Sequence, residues 1–234
     1  MTDTRIMLAS GTLFDILDPE GSDFTLQDIA HGLGRVCRFA GHTNRFYSVA
    51  EHCVHVARLV PVELATAAML HDATEAFIGD VTRPLKSLLP DYRRIEDNIA
   101  TAIARRFLPG FDGGVFNLPA IKAAEMVMCM VEARHLMPEA DGFWIDQKTE
   151  VKAKYPAVWD QAKRIRLECD KPEFATVAWL RAWHRYGHWQ AQLQADKLDP
   201  ACQHRDCNGR PFGSTGYCVA HAGTIRPGER QEAA

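Results

Sequence analysis

The stretch Ala68-Met69-Leu70-His71-Asp72-Ala73-Thr74-Glu75 brings an imidazole and a carboxylate to adjacent positions and adds a second carboxylate about one helical turn later. His52 lies nineteen residues before His71, in the run Val49-Ala50-Glu51-His52. Two imidazoles and a carboxylate are a ligand set for one divalent cation, and a cation held in this way activates water at neutral pH. The stretch therefore indicates a metal-dependent hydrolase.

The apolar spacing around this stretch predicts one helix over residues 62–77. Leu64, Ala68, His71 and Glu75 fall at i, i+4, i+7 and i+11, which is one stripe of an α-helix. Because two members of the stripe are apolar, we expect the stripe to face the interior and to carry both polar side chains with it.

A second helix is predicted from Val49 to about Val60, with Ser48 as its N-cap and Glu51 completing a capping box. His52 lies on the inner stripe of this helix. Two consecutive helices that pack on each other bring their inner faces together, so we expect His52 to approach His71 and Asp72.

The rest of the chain is also mostly helical in pattern, which predicts an all-α fold. Thr25 caps a helix because Asp28 lies three positions on. The segment 138–172 has a mixed pattern. Further elements are predicted as a strand near 6–9, helices over 26–36, 84–89, 90–107, 118–137 and 173–196, and loops over 39–47 and 109–119.

Composition limits the functional classes. The 234 residues are 47% hydrophobic and carry 27 basic against 30 acidic residues, so no overall basic excess points to nucleic acid. The sequence shows no secretion signal, no membrane-spanning apolar run and no P-loop or dinucleotide glycine fingerprint. We expect a cytoplasmic protein with one core over residues 1–196 and an appended tail over 197–234.

Several segments together carry a resemblance to a known family, and they are Arg38–His52, His71–Glu75, Gly79–Lys86, Ile121–Glu125 and Val131–Met137. They resemble HD-domain phosphohydrolases of the 5′-deoxynucleotidase type and phage-type dATP triphosphohydrolases. The resemblance covers about residues 10–140. It implies an HD-type helical bundle that removes phosphate from a 5′-deoxynucleoside monophosphate or tripolyphosphate from a dNTP.

The resemblance also supplies a fourth metal ligand. The family has an aspartate where this chain has Glu125, whose carboxylate reaches one methylene further and still binds a divalent ion such as Mn, Co, Mg, Fe or Zn. Glu132 is not expected to replace it, because seven residues move a side chain about 10 Å along a helix.

The remaining site residues follow from the needs of phosphoester hydrolysis. Glu75 is the candidate for orienting water and taking its proton. Asp80 has two open roles, placing that water or binding the sugar. Arg38 and Lys86 are candidate phosphate contacts, since a cation must face the developing charge. His42 lies in a polar, basic loop that suits a longer phosphate chain.

The tail carries a second metal motif. Cys202, Cys207, Cys218 and His221 have the spacing of a closed, structural Cys3His zinc site. Arg205, Arg210 and Arg226 are few and are interspersed with Asp206. The tail is therefore at least as well suited to docking on the main domain, or to stabilising a homo-oligomer, as to contacting nucleic acid. The other four cysteines show no disulfide pattern.

A rival reading is an HD-like nucleotide-binding or regulatory module that has lost turnover and uses the zinc tail for interactions. Glu125 in place of aspartate favours the module, whereas Glu75 favours the enzyme. Two smaller patterns have structural readings. His55 is predicted to be hydrogen-bonded on the helix flank. Trp179, Trp183 and Tyr186 form a helical stripe that is predicted to pack on the main bundle, or to form a dimer contact, rather than to stack on bases.

Overall fold

The computed structural model describes residues 3–138 and 142–195, and within these ranges the chain is mostly helical. This confirms the predicted helical class. The predicted tail over 197–234 lies outside the described residues. Ten α-helices and one small sheet make up the described ranges, in the order β1 Arg5–Met7, β2 Leu13–Asp15, α1 Leu26–Arg35, α2 Val49–Ala57, α3 Ala65–Met69, α4 Glu75–Ile78, α5 Arg83–Lys86, α6 Pro90–Phe107, α7 Pro119–Leu136, α8 Phe143–Lys154, α9 Pro156–Ala162 and α10 Pro172–Ala195.

Local capping signals place several helix ends where the sequence predicts them. The Thr25 side chain accepts a hydrogen bond from the Asp28 backbone N–H, and the Asp28 carboxylate accepts one from the Thr25 backbone N–H. This reciprocal pair satisfies two backbone donors that would otherwise be free at the start of α1. Proline begins both α6 and α7, where its missing N–H costs nothing and its fixed φ favours the helix.

The capping box predicted for α2 is only half present. The Ser48 side chain accepts from the Glu51 backbone N–H, as expected. The Glu51 carboxylate turns away and accepts instead from the backbone N–H groups of Glu168, Cys169 and Asp170, at 2.7, 3.1 and 3.2 Å. These donors come from a distant segment, so local spacing alone misassigned the partner of Glu51.

The single helix predicted over 62–77 is wrong. A 3-10 turn at Val62–Leu64 leads into α3, the backbone then tightens over residues 70–74, and α4 begins only at Glu75. Within the break, N–H groups reach carbonyls three residues back, as in the bonds from Leu70 to Ala67 and from Ala73 to Leu70. His71 and Asp72 therefore lie in a break between two short helices, where side chains take directions that a straight helix does not offer.

The strand predicted near residues 6–9 exists as β1, and it pairs antiparallel with β2, which the sequence analysis did not predict. Ile6 lies opposite Phe14 in the register. Phe14 is fully buried and stacks on Phe77 of α4, with ring centroids 4.1 Å apart. The hairpin therefore packs against the short helix that begins with Glu75.

Close helix packing holds α1 against α4 and α10. A Cβ added at Gly32 would lie 2.8 Å from the Cβ of Ala76, and one at Gly34 would lie 2.3 Å from the Thr176 hydroxyl. Only glycine permits these approaches without a shift of the neighbouring helix. On α10, Trp179 is fully buried and stacks on the half-buried Trp183 at 5.8 Å, which confirms core packing for Trp179.

The segment with a mixed sequence pattern contains α8, α9 and the turn into α10. α8 and α9 pack against α7, and Val151 and Trp159 bury their side chains in the core. Within residues 3–138 and 142–195, no helix combines the length and the apolar character needed to cross a membrane.

Candidate metal centre

His52 of α2 meets His71 and Asp72 of the break between α3 and α4. One ligand atom from each residue lies within 4.8 Å of the other two. The Oδ2 atom of Asp72 is 3.6 Å from Nε2 of His52 and 3.2 Å from Nε2 of His71. The convergence predicted from the sequence is present, and these three side chains form a candidate site for a metal ion.

The chemistry of these donors fits a cation. Nδ1 of His71 lies 2.8 Å from the Ala68 carbonyl oxygen, and Nδ1 of His52 lies 2.6 Å from Oε1 of Glu132. Because both partners accept, each Nδ1 carries the proton, and Nε2 of a neutral ring presents a lone pair. Both Nε2 atoms are buried and have no hydrogen-bond partner within the described residues. Buried polar atoms left in this way cost about 1–3 kcal/mol each, and binding to a cation removes that cost.

The electrostatic effects within the candidate site also favour a bound cation. Burial acts to raise the pKa of Asp72, but the neighbouring His71 outweighs it and holds the pKa well below the ordinary value of 3.8. Burial and the Arg38 charge lower the pKa of His52. Asp72 in turn raises the pKa of His71 well above 6.5, against the opposing effect of burial. A cation that binds here competes with the proton on His71.

Glu132 of α7 lies directly behind His52, and the sequence analysis missed its importance. Its side chain has no exposed surface, and its carboxylate accepts from His52 Nδ1, from the Tyr47 hydroxyl at 2.9 Å and from Arg38 Nε at 3.2 Å. Burial would raise the pKa of Glu132, but the His52 and Arg38 charges outweigh it and lower the pKa to about 2. The available signal was an acidic residue on an otherwise apolar turn of a long helix.

Arg38 connects the two carboxylates of the centre. Its NH1 atom lies 3.4 Å from Oδ2 of Asp72, while its Nε binds Glu132. The next two residues, Phe39 and Ala40, have φ values of +55° and +51°, which cost of order 1–3 kcal/mol each outside glycine. The structure therefore holds Arg38, a predicted phosphate contact, at the metal centre through a strained turn.

Glu75 begins α4 and has one carboxylate oxygen, Oε2, that is buried without a hydrogen-bond partner in the described part of the chain. Burial, together with the charges of Asp72 and Asp80, raises the pKa of Glu75 well above 4.5. The pKa of Asp80 is also raised, mainly by burial. Both predicted catalytic carboxylates thus lie within electrostatic reach of the three donors.

Lys86 and Glu125 lie near the centre but bind other partners. Nζ of Lys86 is 2.6 Å from Oε1 of Glu96 and 5.5 Å from the centre of the Tyr92 ring. Oε2 of Glu125 is 2.8 Å from Nζ of Lys122, and the group of mutually close ligand atoms does not include it. Burial and the Asp72 charge act to raise the pKa of Glu125, but His71 and Lys122 outweigh them and lower it.

The other predicted residues lie at the edge of the site or beyond the description. His42 is exposed at the end of the 3-10 turn Phe39–Gly41. His55 bonds Glu51 at 3.4 Å and Arg58 at 3.3 Å, which confirms its hydrogen-bonded role. The predicted zinc ligands lie outside the described residues and are Cys202, Cys207, Cys218 and His221.

Comparison with known proteins gives relatives but no activity. No protein-family model matches the chain. The chain is 37% identical over 143 residues to Uncharacterized protein RCAP_rcc00048 of Rhodobacter capsulatus, a match that covers 55% of this chain and 71% of that protein. It therefore belongs to the family of that protein. It is also 45% identical over 123 residues to Uncharacterized protein YfdR of Escherichia coli K12, across 52% of this chain and 66%, just under two thirds, of YfdR.

Proposed function

We propose that this protein is a metal-dependent phosphohydrolase of the HD type that acts on nucleotides. The observation that supports the proposal is the donor set of His52, His71 and Asp72, in which two buried ring nitrogens have no partner among the described residues. A divalent ion held by these residues supplies Lewis acidity, which activates water and neutralises phosphate charge.

Glu75 is the proposed proton acceptor. A general base works best when its pKa lies near the working pH, and burial beside Asp72 and Asp80 raises the pKa of Glu75 in that direction. The buried Oε2 atom has no hydrogen-bond partner among the described residues and is proposed to accept a proton from water. Asp80 is proposed to orient the same water or to bind the sugar.

Arg38 is the proposed phosphate contact. A guanidinium has five N–H donors, and the two carboxylates that Arg38 meets engage its Nε and NH1 atoms. The remaining donors are available to a phosphate oxygen, where a fixed positive charge stabilises the developing negative charge. The Lys86 charge also acts on Glu75 and Asp72 and adds positive potential to the site.

The proposed substrate is a deoxynucleotide, with phosphate released from a 5′-monophosphate or tripolyphosphate released from a triphosphate. The test is a panel of dNMPs, NMPs and dNTPs with Mn²⁺, Co²⁺ and Mg²⁺, with orthophosphate and tripolyphosphate measured separately. Metal-dependent release from one substrate class supports the enzyme. Silence across the panel from a protein that binds metal would contradict it.

The second candidate is a nucleotide-binding or regulatory module without turnover. One observation favours it: the Glu125 carboxylate pairs with Lys122 and lies outside the group of mutually close ligand atoms. A centre with three donors instead of four binds a metal less firmly. Nucleotide binding by the metal-loaded protein, measured by calorimetry in the absence of turnover, would support this second candidate.

A further inference from the structure

We infer that Glu132 is the positioning residue of the metal centre, which fixes the tautomer and direction of the His52 ring and the orientation of the Arg38 guanidinium. The inference rests on the proposed function, because it requires that the centre bind a divalent cation. Glu132 touches neither the donor atoms of the centre nor the reacting groups, and it acts only through its neighbours.

Both oxygens of the Glu132 carboxylate are used. Oε1 accepts from His52 Nδ1 at 2.6 Å and from the Tyr47 hydroxyl at 2.9 Å, and Oε2 accepts from Arg38 Nε at 3.2 Å. The Glu132 and His52 side chains have no exposed surface, so water does not compete for these bonds. A carboxylate buried this completely persists only when its partners compensate for the loss of hydration.

The bond to His52 selects one tautomer of the ring. Because an ionised carboxylate only accepts, the proton lies on Nδ1, and the lone pair lies on Nε2. The Nε2 atom is 3.6 Å from Oδ2 of Asp72. A carboxylate behind a metal-binding histidine also makes the ring a stronger donor, and removal of such a partner typically weakens metal binding 10–100-fold.

The same carboxylate limits where Arg38 points. With Nε held by Glu132, the NH1 atom reaches Oδ2 of Asp72 at 3.4 Å. Tyr47 holds the other oxygen, Oε1, through its hydroxyl, and its side chain is also fully buried. One buried side chain of α7 thus aligns a metal donor from α2 and a cation from the loop before α2.

The first test uses wild-type protein without metal. Long-range proton–nitrogen NMR of the histidine rings distinguishes the two neutral tautomers. The expected result is a His52 ring protonated at Nδ1. A ring protonated at Nε2 would overturn the inference, and this measurement does not depend on any variant folding.

The second test compares two buried glutamates. Glu132→Gln keeps the shape of the side chain and removes its charge, and we expect Mn²⁺ or Co²⁺ to bind 10–100-fold more weakly by calorimetry, with a changed Co²⁺ absorption spectrum. Glu51→Gln is the matched control, because Glu51 is the chain neighbour of His52 but its partners among the described residues are His55 and backbone N–H groups. We expect wild-type metal affinity in this control.

The outcomes separate this inference from the proposed function. Wild-type affinity in Glu132→Gln, or equal losses in both variants, would overturn the positioning role and leave the phosphohydrolase proposal intact. If the wild type binds metal but the nucleotide panel is silent, the function fails and the comparison of affinities still decides the role of Glu132. A wild type that binds no metal would overturn both.

Discussion

Two neighbouring residues of α2, Glu51 and His52, face different sides of the helix and contact different partners. Glu51 faces the segment before α10, where three backbone N–H groups and His55 satisfy its carboxylate. His52 faces α7 and the metal centre, where Glu132 satisfies one ring nitrogen and the other has no partner within the described residues. Both side chains are buried, so the difference lies in their partners and not in their exposure.

This contrast indicates which buried polar groups are structural and which are available to a ligand. Native proteins pair nearly all buried polar atoms, so a fully satisfied carboxylate such as Glu51 is explained by the fold alone. The two ring nitrogens that lie 3.6 and 3.2 Å from one Asp72 oxygen, without a hydrogen-bond partner among the described residues, are not explained by the fold. The side of α2 that faces α10 is therefore explained by the fold, and the side that faces α7 carries the candidate metal site.

The largest effect is expected from Asp72→Ala. Asp72 is the anionic donor shared by both imidazoles, so its removal is expected to abolish metal binding and reduce turnover below detection. Metal content after dialysis and the rate of phosphate release measure the two losses. A folded variant that keeps the metal would contradict the assignment of metal binding to the side of α2 that faces α7.

A separate effect on rate is expected from Glu75→Gln. Loss of a general base typically lowers a rate roughly 10²–10⁴-fold. Because Glu75 is not among the three close donors, metal affinity should stay at the wild-type value. The turnover number and the metal dissociation constant are the paired readouts, and full activity in this variant would remove Glu75 from the mechanism.

The side of α2 that faces α10 is tested by Glu51→Gln. The amide has one carbonyl oxygen instead of two carboxylate oxygens for the N–H groups of residues 168–170. The expected cost is about 1–3 kcal/mol in the free energy of unfolding, measured by denaturant titration. If metal affinity fell as well, the separation of the two sides would be incorrect.

Unfolding measurements at acidic pH test whether the Glu51 carboxylate is ionised in its contacts. Burial acts to raise the pKa of Glu51, but hydrogen bonds from His55 and from backbone N–H groups outweigh it and lower the pKa below the ordinary value of 4.5. A carboxylate whose pKa is lower in the folded state stabilises the fold above its unfolded pKa and loses that contribution as the pH falls. The difference in unfolding free energy between the wild type and Glu51→Gln should therefore shrink below about pH 4.5. A difference that is constant with pH would contradict the ionised contact.

The smallest effect concerns Glu125 of α7, which has a partner, as Glu51 does, and is also a candidate metal ligand, as His52 is. Its carboxylate pairs with Lys122, whose side chain is 42% exposed, and exposed pairs contribute only about 0–1 kcal/mol. If Glu125 is the fourth ligand, Lys122→Ala removes a competitor and should tighten metal binding by about two- to fivefold. Unchanged affinity would place Glu125 outside the donor set.

Local sequence signals predicted the parts of the fold that local contacts determine. Thr25 and Asp28 mark the start of α1 because the groups that satisfy the cap lie within three residues of each other. Proline marks the starts of α6 and α7 because its fixed φ favours the first helical turn. The helix prediction failed at residues 70–74. The apolar spacing continues there, but the backbone hydrogen bonds connect residues three apart instead of four. Periodicity records which residues face inward and does not record whether the helix between them is continuous.

The sequence by itself determined the helical class and the donor types, because each follows from residue chemistry and short spacing. Only the tertiary structure decided the partners of those donors. Glu132 is 80 residues from His52, and Glu168 is 117 residues from Glu51. Spacing along a helix separated Glu132 from the position of Glu125. It could not show that packing of α7 on α2 places Glu132 behind His52, because contacts between elements depend on how the whole core closes.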